Sequence, residues 1–257
     1  MRVFAISDIH VDFAENLNWL NNLSKLDFKN DILIVAGDVT DNITLFEKAM
    51  TELRSRFNEV MFVPGNHDLW FIRNPGVNDS LQKFELIKTI TQNCGIRMEP
   101  LCFNSVLIVP LFGWYDYSFG LPTHETYEVW MDFTACKWPN NWREDSITNF
   151  FISLNEQRLE IQPSAKLTKI ISFSHFLPRI DLLPYYIPLS KRYLNSVLGT
   201  SLLEKQIRVL NSDIHVYGHS HVNMEINKEQ TLYINNAFGY PYEFEITAKK
   251  LKCILER

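Results

Sequence analysis

Short apolar runs alternate along this chain with longer segments in which apolar residues recur at helical spacing. Seven runs are predicted strands, at residues 3–7, 31–36, 60–63, 96–98, 106–109, 167–173 and 214–217. Five segments have the spacing and composition of helices, at residues 13–26, 42–57, 80–93, 144–161 and 201–210. Because parallel strands are joined by crossover connections, this alternation predicts an α/β fold with parallel strand pairs.

The last part of the chain has a different pattern. Residues 222–226, 231–234, 244–247 and 251–255 are short alternating segments with no helical segment between them, which predicts antiparallel strands. We find no internal repeat, low-complexity tract or linker along the chain. We therefore expect residues 1–257 to form a single domain.

The regular pattern fails between residues 111 and 142, where aromatic side chains are dense. Prolines at Pro122 and Pro139 interrupt this segment. A stretch of that length without regular structure is unusual in a compact domain and is often functional. We expect an aromatic-rich insertion or flap around 111–142 that packs over the sheet, with a few rings available to a substrate cleft.

The stretch 33–41 shows how the predicted strands end. An apolar, β-branched run stops at Gly37 and Asp38, and Asp41 follows three residues later. A buried strand of this kind presents its carboxylate at the edge of the sheet where catalytic groups of α/β folds cluster. From this stretch alone, an aspartate that caps the following helix is an equally good interpretation.

Four other strand ends carry the same kinds of side chain. The candidates from all five ends are Asp8, His10, Asp38, Asn66, His67, His175, His219 and His221. A cleft that also contained Asp41 and Asp68 would raise the pKa of its carboxylates unless cations neutralised them. Mixed imidazole and carboxylate ligands suit first-row transition metals, and seven protein ligands fit two ions that share a bridging carboxylate. The sequence therefore predicts a dinuclear metal centre.

Charge and cysteine content bear on the partners and the cellular location of this protein. The formal net charge of −5 argues weakly against a long nucleic acid as partner. The four cysteines show no metal-binding or disulfide spacing, and Cys102 and Cys253 lie in apolar runs where buried thiols are expected. The apolar N-terminal run is short for a signal peptide, and no run approaches membrane-spanning length. We expect a cytoplasmic protein that does not associate with membranes.

Five motif blocks carry a family resemblance. They are Asp8-x-His10, Gly37-Asp38-x-x-Asp41, Gly65-Asn66-His67-Asp68, His175 and Gly218-His219-x-His221. In this order, over most of the chain, they resemble the calcineurin-like metallophosphoesterase superfamily. The resemblance implies a four-layer αββα sandwich of two mixed β-sheets flanked by helices. It also implies metal-dependent hydrolysis of a phosphomonoester or a small phosphodiester.

The resemblance assigns an expected role to each position. It implies Asp8, His10 and His221 as ligands of one metal, Asn66, His175 and His219 as ligands of the other, and Asp38 as the bridge. A metal-bridging hydroxide would be the nucleophile. His67 would protonate the leaving oxygen or stabilise the phosphoryl charge, and Asp41 would orient His67. The two divalent ions stay open among Mn, Fe, Zn, Co and Ni, with Mn favoured for assays.

The chain departs from the protein Ser/Thr phosphatases of this superfamily. Those enzymes carry arginines directly after the second and third blocks, whereas Asn42 and Leu69 stand here. This argues against a phosphoprotein substrate and favours a small phosphorylated one. Arg179, Lys191 and Arg192 are candidates for replacing those arginines as phosphate-binding cations. Solvated surface charge is the favoured interpretation of all three. Two histidines lie outside the blocks: His124 is a candidate substrate contact in the flap, and His215 is interpreted as a core residue.

Two alternative functions stay open at this point. A nuclease or a cyclic-nucleotide phosphodiesterase uses the same kind of centre, and aromatic rings of the flap are suited to stacking on a base. A non-catalytic binding scaffold is less favoured, because such a protein is expected to lose ligands that this chain retains. The sequence indicates neither the physiological substrate nor the oligomeric state.

Overall fold

The structure is a computed structural model that describes residues 1–139, 142–161 and 167–256. Its strands are β1 (Arg2–Ile6), β2 (Ile32–Ala36), β3 (Glu59–Val63), β4 (Leu101–Phe103), β5 (Val106–Pro110), β6 (Lys169–Phe173), β7 (Ile214–Tyr217), β8 (Met224–Lys228), β9 (Thr231–Asn235) and β10 (Lys252–Glu256). Its α-helices are α1 (Ala14–Asn21), α2 (Ile43–Arg56), α3 (Ser80–Asn93), α4 (His124–Val129), α5 (Asp132–Ala135), α6 (Glu144–Ser153), α7 (Glu156–Leu159) and α8 (Ser201–Leu210). Short 3₁₀ helices lie at His67–Leu69, Ile180–Leu182 and Leu189–Val197.

The strands form two mixed sheets. The first has the order β10-β1-β2-β3, in which β10 is antiparallel to β1 and the other pairs are parallel. The second has the order β4-β5-β6-β7-β9-β8, parallel in the middle and antiparallel at both edges. The predicted architecture of two mixed sheets flanked by helices is confirmed. The late strand β9 pairs antiparallel with β8, as predicted for this part of the chain, but it also pairs parallel with β7.

Both sheets contribute to a continuous hydrophobic core. Strand β2 is buried along its whole length, which is expected of a parallel strand covered on both faces. Helix α2 packs against β3 and against helices α1 and α3. On the second sheet, Glu204 of α8 accepts a hydrogen bond of 2.6 Å from the Tyr233 hydroxyl of β9. Helices therefore pack against both sheets.

Two predicted strands are wrong and one strand was missed. Arg97 forms only a single-residue bridge to β3, with backbone hydrogen bonds of 2.9 Å to Val60 and Phe62. Residues 244–247 form turns, in which the Thr247 N–H donates to the Glu243 carbonyl. Strand β4 was not predicted, because three residues are too few to show an alternating pattern.

The predicted helix over 144–161 breaks into α6 and α7 near Asn155. The Asn155 side chain is buried and binds both backbone groups of Phe112, accepting from its N–H at 2.9 Å and donating to its carbonyl at 2.8 Å. It also donates to the Gln206 side chain of α8. This tertiary contact bends the chain where the local pattern is helical. The predicted helix over 13–26 is also shorter than expected and ends at Asn21.

The aromatic segment 111–142 is more regular than expected, since it contains α4 and α5. Phe112, Trp114 and Tyr115 are buried, and Trp114 packs edge-on against Trp138 and Phe176. Most of these rings therefore belong to the core. Residues 140 and 141 of this predicted flap lie outside the described residues.

The cysteines have a different environment from the one expected. Cys102 and Cys253 are exposed, because each lies on an edge strand whose alternate side chains face solvent. Both are free thiols, as are Cys94 and Cys136. None of the helices in the described ranges is long and apolar enough to cross a membrane.

Candidate metal centre

The predicted ligands follow the carboxyl ends of strands from both sheets. Asp8, His10 and Asp38 follow β1 and β2, whereas His219 and His221 follow β7. All five have positive φ angles, between +44° and +67°. Side chains rarely adopt this backbone conformation, and such residues cluster at functional sites. Each of these loops therefore turns sharply at the residue that carries the candidate ligand.

One group of ligand atoms comprises Asp8, His10 and His221. The Nε2 atom of His221 lies 3.2 Å from Asp8 Oδ1 and 3.2 Å from His10 Nε2. On its other side, His221 Nδ1 lies 2.6 Å from Glu243 Oε2. An imidazole that donates through Nδ1 to a carboxylate presents the lone pair of Nε2 to a metal.

The second group comprises Asn66, His175 and His219. The Nε2 atom of His175 lies 3.2 Å from Asn66 Oδ1 and 3.0 Å from His219 Nδ1. The opposite nitrogens of the two rings face backbone carbonyls, His175 Nδ1 at 2.9 Å from Ala36 and His219 Nε2 at 3.0 Å from Val197. Burial lowers the pKa of both rings, which keeps them neutral.

The atom types of this second group fit a bound cation. If each ring donates its one proton to its carbonyl, the two nitrogens that face each other at 3.0 Å are both unprotonated. The amide oxygen of Asn66 points at the same place and is also an acceptor only. Three converging lone pairs repel one another unless a cation lies between them, and these atom types suit a transition metal.

Asp38 lies between the two groups. Its Oδ2 is 3.5 Å from His175 Nε2 and 3.9 Å from His10 Nε2, which is the position required of a bridging carboxylate. Burial raises the pKa of Asp38 well above its usual value, and the nearby carboxylates of Asp68 and Asp8 raise it further. The carboxylate repulsion expected from the sequence is therefore present at Asp38, and a bound cation would relieve it.

The two ligand groups also differ in the protonation of their histidines: the pKa of His221 in the first group is raised, whereas those of His175 and His219 in the second are lowered. Although burial lowers the pKa of His221, the carboxylates of Asp8 and Glu243 raise it to about 9. In return, His221 holds the pKa of Asp8 below its usual value despite burial. A metal ion at Asp8, His10 and His221 must therefore replace the proton of His221, because the metal-binding form of imidazole is neutral.

Asp68 holds the loops after β2 and β3 together. Its carboxylate accepts hydrogen bonds from the backbone N–H groups of Asp38, Val39, Thr40 and Gly65, at 2.8 to 3.2 Å. Burial raises its pKa to about 6, although these four donors stabilise its charged form. Asp68 is thus a structural carboxylate that fixes the backbone on either side of Asp38.

Close packing explains the glycine before Asp38. Gly37 has φ +83°, and a Cβ built there would lie 2.7 Å from His175 Cγ and 2.8 Å from the Gly65 nitrogen. Only a residue without a side chain lets the loop of the first sheet approach the His175 ring of the second sheet.

His67 lies beside the two groups. Its ring stacks on Trp70, with ring centroids 3.7 Å apart, and packs edge-on against His10 at 4.8 Å. Its backbone N–H donates to Asp38 Oδ1 at 3.0 Å. Burial lowers the pKa of His67 to about 3, so its ring is neutral at pH 7 and has one N–H to donate.

Asp41 has a different charged partner from the one that the resemblance implied. Within the described residues, no hydrogen bond joins the Asp41 carboxylate to the His67 ring; Asp41 Oδ2 instead lies 3.3 Å from Arg73 Nε. The His67 ring stacks on Trp70. Arg73 is 63% exposed, and its charge contributes to the lowered pKa of His67. Arg73 lies a few residues after Asp68, the last residue of the third motif block, and so belongs to none of the five blocks.

None of the candidate substrate contacts outside the motifs belongs to either group of ligand atoms in the described residues. Arg179 is bound by the carboxylates of Asp181, Glu204 and Glu229, at 2.9 to 3.1 Å. Its charge is therefore already compensated. Arg192 and Lys191 are exposed on the 3₁₀ helix Leu189–Val197. His124 is 88% exposed and pairs with Glu128 of its own helix at 3.4 Å.

His215 has the environment expected of a core histidine. It is fully buried, and its ring nitrogens lie 2.8 Å from the Ser172 hydroxyl and 3.1 Å from the Ser174 hydroxyl.

A small cavity of about 160 Å³ opens beside the second ligand group. Its walls contain Asn66, His67, Trp70, Val129, Trp130, Met131, Asp132 and Tyr240. Four of these residues come from the aromatic segment, so some of its rings and side chains do reach the site. The Tyr240 ring also packs against the rings of His10 and His221, at 4.6 and 4.8 Å.

Sequence reasoning missed three residues of the site. Asp132 accepts a hydrogen bond from Asn66, Glu243 contacts His221, and Arg73 pairs with Asp41. No spacing rule points to them, because each belongs to a different chain segment from its partner. The available signal for Asp132 was weak: it is an acidic residue within a dense aromatic segment.

The fold and the site define a metallophosphoesterase-type sandwich, and the comparison with protein families agrees. The family model described as calcineurin-like phosphoesterase matches residues 1–223. The chain therefore belongs to the calcineurin-like phosphoesterase family, and the family resemblance of the five motif blocks is confirmed.

Individual relatives include a protein named as a phosphodiesterase. Over 125 residues the chain is 32% identical to the acyl-carrier-protein phosphodiesterase PptH of Mycobacterium tuberculosis, a match that covers 46% of this chain and 38% of that protein. The crystal structure of phosphopantetheinyl hydrolase PptH from the same organism has a TM-score of 0.83 at 24% identity, over 100% of this chain and 96% of that one. Purple acid phosphatase PPD1 from yellow lupin has a TM-score of 0.50 at 14% identity, over 91% and 43% of the two chains. At these identities the two structures establish the fold.

Proposed function

We propose that this chain hydrolyses phosphate esters with two divalent metal ions. Asp8, His10 and His221 hold one ion, Asn66, His175 and His219 hold the other, and Asp38 bridges them. The observation that carries this proposal is the pair of ring nitrogens of His175 and His219 that face each other at 3.0 Å, while the opposite nitrogen of each ring faces a backbone carbonyl. A cation bound by both nitrogens would stabilise that arrangement in a buried site.

The bound ions supply Lewis acidity and a water molecule of lowered pKa. The chain supplies the rest. Asp38 keeps the two ligand groups at a fixed separation, and His67 offers its N–H to a phosphate oxygen from the cavity wall. Because His67 is neutral at pH 7, stabilising the phosphoryl charge requires no change in its protonation. Protonating the leaving oxygen requires that substrate charge first raise its pKa.

For the substrate, we favour a phosphodiester over a phosphomonoester. The likeness to PptH supports this choice, because that protein is a phosphodiesterase of acyl-carrier protein and a phosphopantetheinyl hydrolase. The cavity beside the second ligand group supports it as well, because its apolar side chains from the aromatic segment suit an uncharged group on one side of the phosphate. A phosphopantetheine group on a carrier protein is therefore the substrate that we would test first.

The experiment compares aryl phosphodiester and phosphomonoester hydrolysis by the purified chain. We expect chelation to abolish hydrolysis, added Mn²⁺ to restore it, and the diester to give the higher kcat/KM. Release of phosphopantetheine from a loaded carrier protein is then measured under the same conditions. An absence of hydrolysis with Mn, Fe, Zn, Co and Ni alike would contradict the proposal.

The alternatives make different predictions in the same experiment. A nucleotide phosphodiesterase would prefer a cyclic nucleotide to phosphopantetheine, with Trp70 and Trp130 of the cavity wall available for stacking. A non-catalytic scaffold would contain no metal after purification.

We also propose that the chain forms one domain and that it is cytoplasmic. The absence of disulfides among its four cysteines supports the cytoplasmic location.

A further inference from the structure

A buried carboxylate outside the predicted ligand set lies behind Asn66. Asp132 is the first residue of helix α5 in the aromatic segment, and it is only 3% exposed. Its Oδ1 accepts hydrogen bonds from Asn66 Nδ2 at 2.8 Å and from Trp70 Nε1 at 2.6 Å. Its Oδ2 accepts a third hydrogen bond from Trp130 Nε1 at 2.9 Å.

These contacts determine which end of the Asn66 amide faces the metal. An ionised carboxylate only accepts hydrogen bonds, so it binds the NH₂ end of the amide and excludes the oxygen end. The oxygen of Asn66 then points towards His175 Nε2, at 3.2 Å. A flipped amide would place its oxygen against Asp132 and its NH₂ group among the metal ligands, and both contacts are unfavourable.

The two indoles hold the Asp132 carboxylate itself. Trp70 follows the 3₁₀ helix of the third motif block and stacks on His67, whereas Trp130 precedes α5 and packs edge-on against the His219 ring at 5.6 Å. Each indole N–H is a donor only, so neither can replace Asp132 as the partner of the Asn66 NH₂ group. The network thus connects the aromatic segment to Asn66, to His67 and to His219.

We propose that Asp132 is a positioning residue that orients the Asn66 amide so that its oxygen can bind a metal ion. The inference rests on the proposed two-metal site. It makes the aromatic segment part of the metal centre, in addition to its contribution to the core. By accepting from the NH₂ group, the carboxylate also increases the negative charge on the amide oxygen, which strengthens that oxygen as a ligand.

The test measures binding of Mn²⁺ to the metal-free protein by calorimetric titration, for the wild type and three variants. For Asp132→Ala we expect one of the two ions to bind ~10–100-fold more weakly and the other to bind unchanged, which is the usual effect of losing a partner of a metal ligand. Asp132→Asn retains an acceptor oxygen for Asn66 and should keep most of the affinity. Trp130→Phe is the matched control, because it removes one hydrogen bond of Asp132 and leaves the contact with Asn66 intact.

Each outcome decides one point. Two ions bound at wild-type affinity by Asp132→Ala would overturn the role of Asp132 and leave the proposed function standing. A wild-type protein that binds fewer than two ions would overturn the proposed function itself. If Asp132→Ala fails to fold, Asp132→Asn still decides: retained binding of both ions supports orientation of the amide, and loss of one ion overturns it. In Trp130→Phe, a loss as large as that in Asp132→Ala would also overturn the inference.

Discussion

At the scale of single residues, the candidate centre depends on which nitrogen of each histidine carries the proton. His175 donates through Nδ1 to Ala36 and His219 donates through Nε2 to Val197, so different nitrogens of the two rings are left to face the same point. The partners that fix these tautomers are backbone carbonyls, which accept hydrogen bonds and do not titrate. The second ligand group is therefore prearranged for its ion, whereas the first depends on the protonation of His221.

His67 is the first residue whose role can be tested alone. We expect His67→Ala to keep both ions, because its contact with Asp38 uses the backbone N–H, and to lower kcat by about 10²–10⁴-fold. The measurement compares a nitrophenyl ester with an alkyl ester. If His67 protonates the leaving oxygen, the loss is larger for the alkyl ester; if it stabilises the phosphoryl group, the two losses are equal. Loss of a metal ion in this variant would contradict a non-ligand role, which needs checking because His67 lies among the possible ligand atoms of His10 and Asp38.

Asp41 and Arg73 form the second test at this scale. Because Asp41 pairs with Arg73 and not with His67, we expect Asp41→Asn to affect catalysis mainly through the position of Arg73. Asp41→Asn, Arg73→Ala and the double variant are compared by kcat and KM. We expect the two effects to be non-additive, as for residues in one ion pair. A large loss of kcat in Asp41→Asn that persists unchanged when Arg73 is absent would instead support the direct role with His67.

At the scale of elements, the loops that follow the strands are strained and tightly packed. Five candidate ligands have positive φ, and Gly37 lies against the ring of His175 from the opposite sheet. The short connections after β1, β2 and β7 are therefore shaped by the contact between sheets, which tolerates little extra volume.

Substitution of Gly37 tests this packing. Gly37→Ala adds a Cβ that overlaps His175, and we expect loss of the ion held by Asn66, His175 and His219 although no ligand is changed. Gly76→Ala is the matched control: its φ of +88° is as strained as the +83° of Gly37, but nothing lies within 4 Å of the added atom. Both variants should lose about 1–2 kcal/mol of stability from the backbone alone. Equal metal content in the two variants, measured by atomic absorption, would refute the packing explanation.

His215 makes the second sheet sensitive to pH. Burial lowers its pKa from 6.5 to about 3, so the folded state takes up this proton less readily than the unfolded state. Its contribution to stability is complete above pH 6.5 and is lost as the pH falls from 6.5 towards 3, by up to about 1.4 kcal/mol per pH unit. We expect the difference in unfolding free energy between the wild type and His215→Gln to shrink from pH 7 to pH 5. Urea unfolding of the metal-free proteins measures it, and a constant difference would show that His215 does not titrate in this range.

At the scale of the whole molecule, the candidate centre joins the two sheets. Asp8, His10 and Asp38 follow strands of the first sheet, whereas His175 and His221 follow strands of the second. Each ligand group takes members from both sheets. Ions bound at this centre would therefore link the two sheets across their interface as well as act as cofactors.

Removal of metal should for this reason lower the stability of the entire fold. An ion present at 100 times its Kd stabilises the native state by about 2.7 kcal/mol, and two sites add their contributions. We expect chelation to lower the Tm of the wild type and Mn²⁺ to restore it. Asp38→Ala is the control, because without the bridge its Tm should respond little to either treatment. A wild-type Tm that is indifferent to chelator would mean that the ions do not link the sheets.

The sequence by itself determined the alternation of strands and helices and the chemistry at the strand ends. Both follow from local rules. The spacing of apolar residues distinguishes a helix from a strand, and the residue after a parallel strand lies at a known edge of the sheet. The five motif blocks, from Asp8 to His221, were therefore recognisable without coordinates. The errors at residues 96–98 and 244–247 arose where short apolar runs do not pair as strands.

Only the tertiary structure decided which partners surround the ligands. Asp132 binds Asn66 across 66 positions of sequence, and Glu243 binds His221 across 22. Asp41 pairs with Arg73, whereas the family resemblance implied His67 as its partner. None of these contacts can be recognised from a periodic pattern in the sequence, because each depends on how separate segments pack in three dimensions. The chain sequence thus specifies the candidate ligands, and the packing of the two sheets and the aromatic segment orients them.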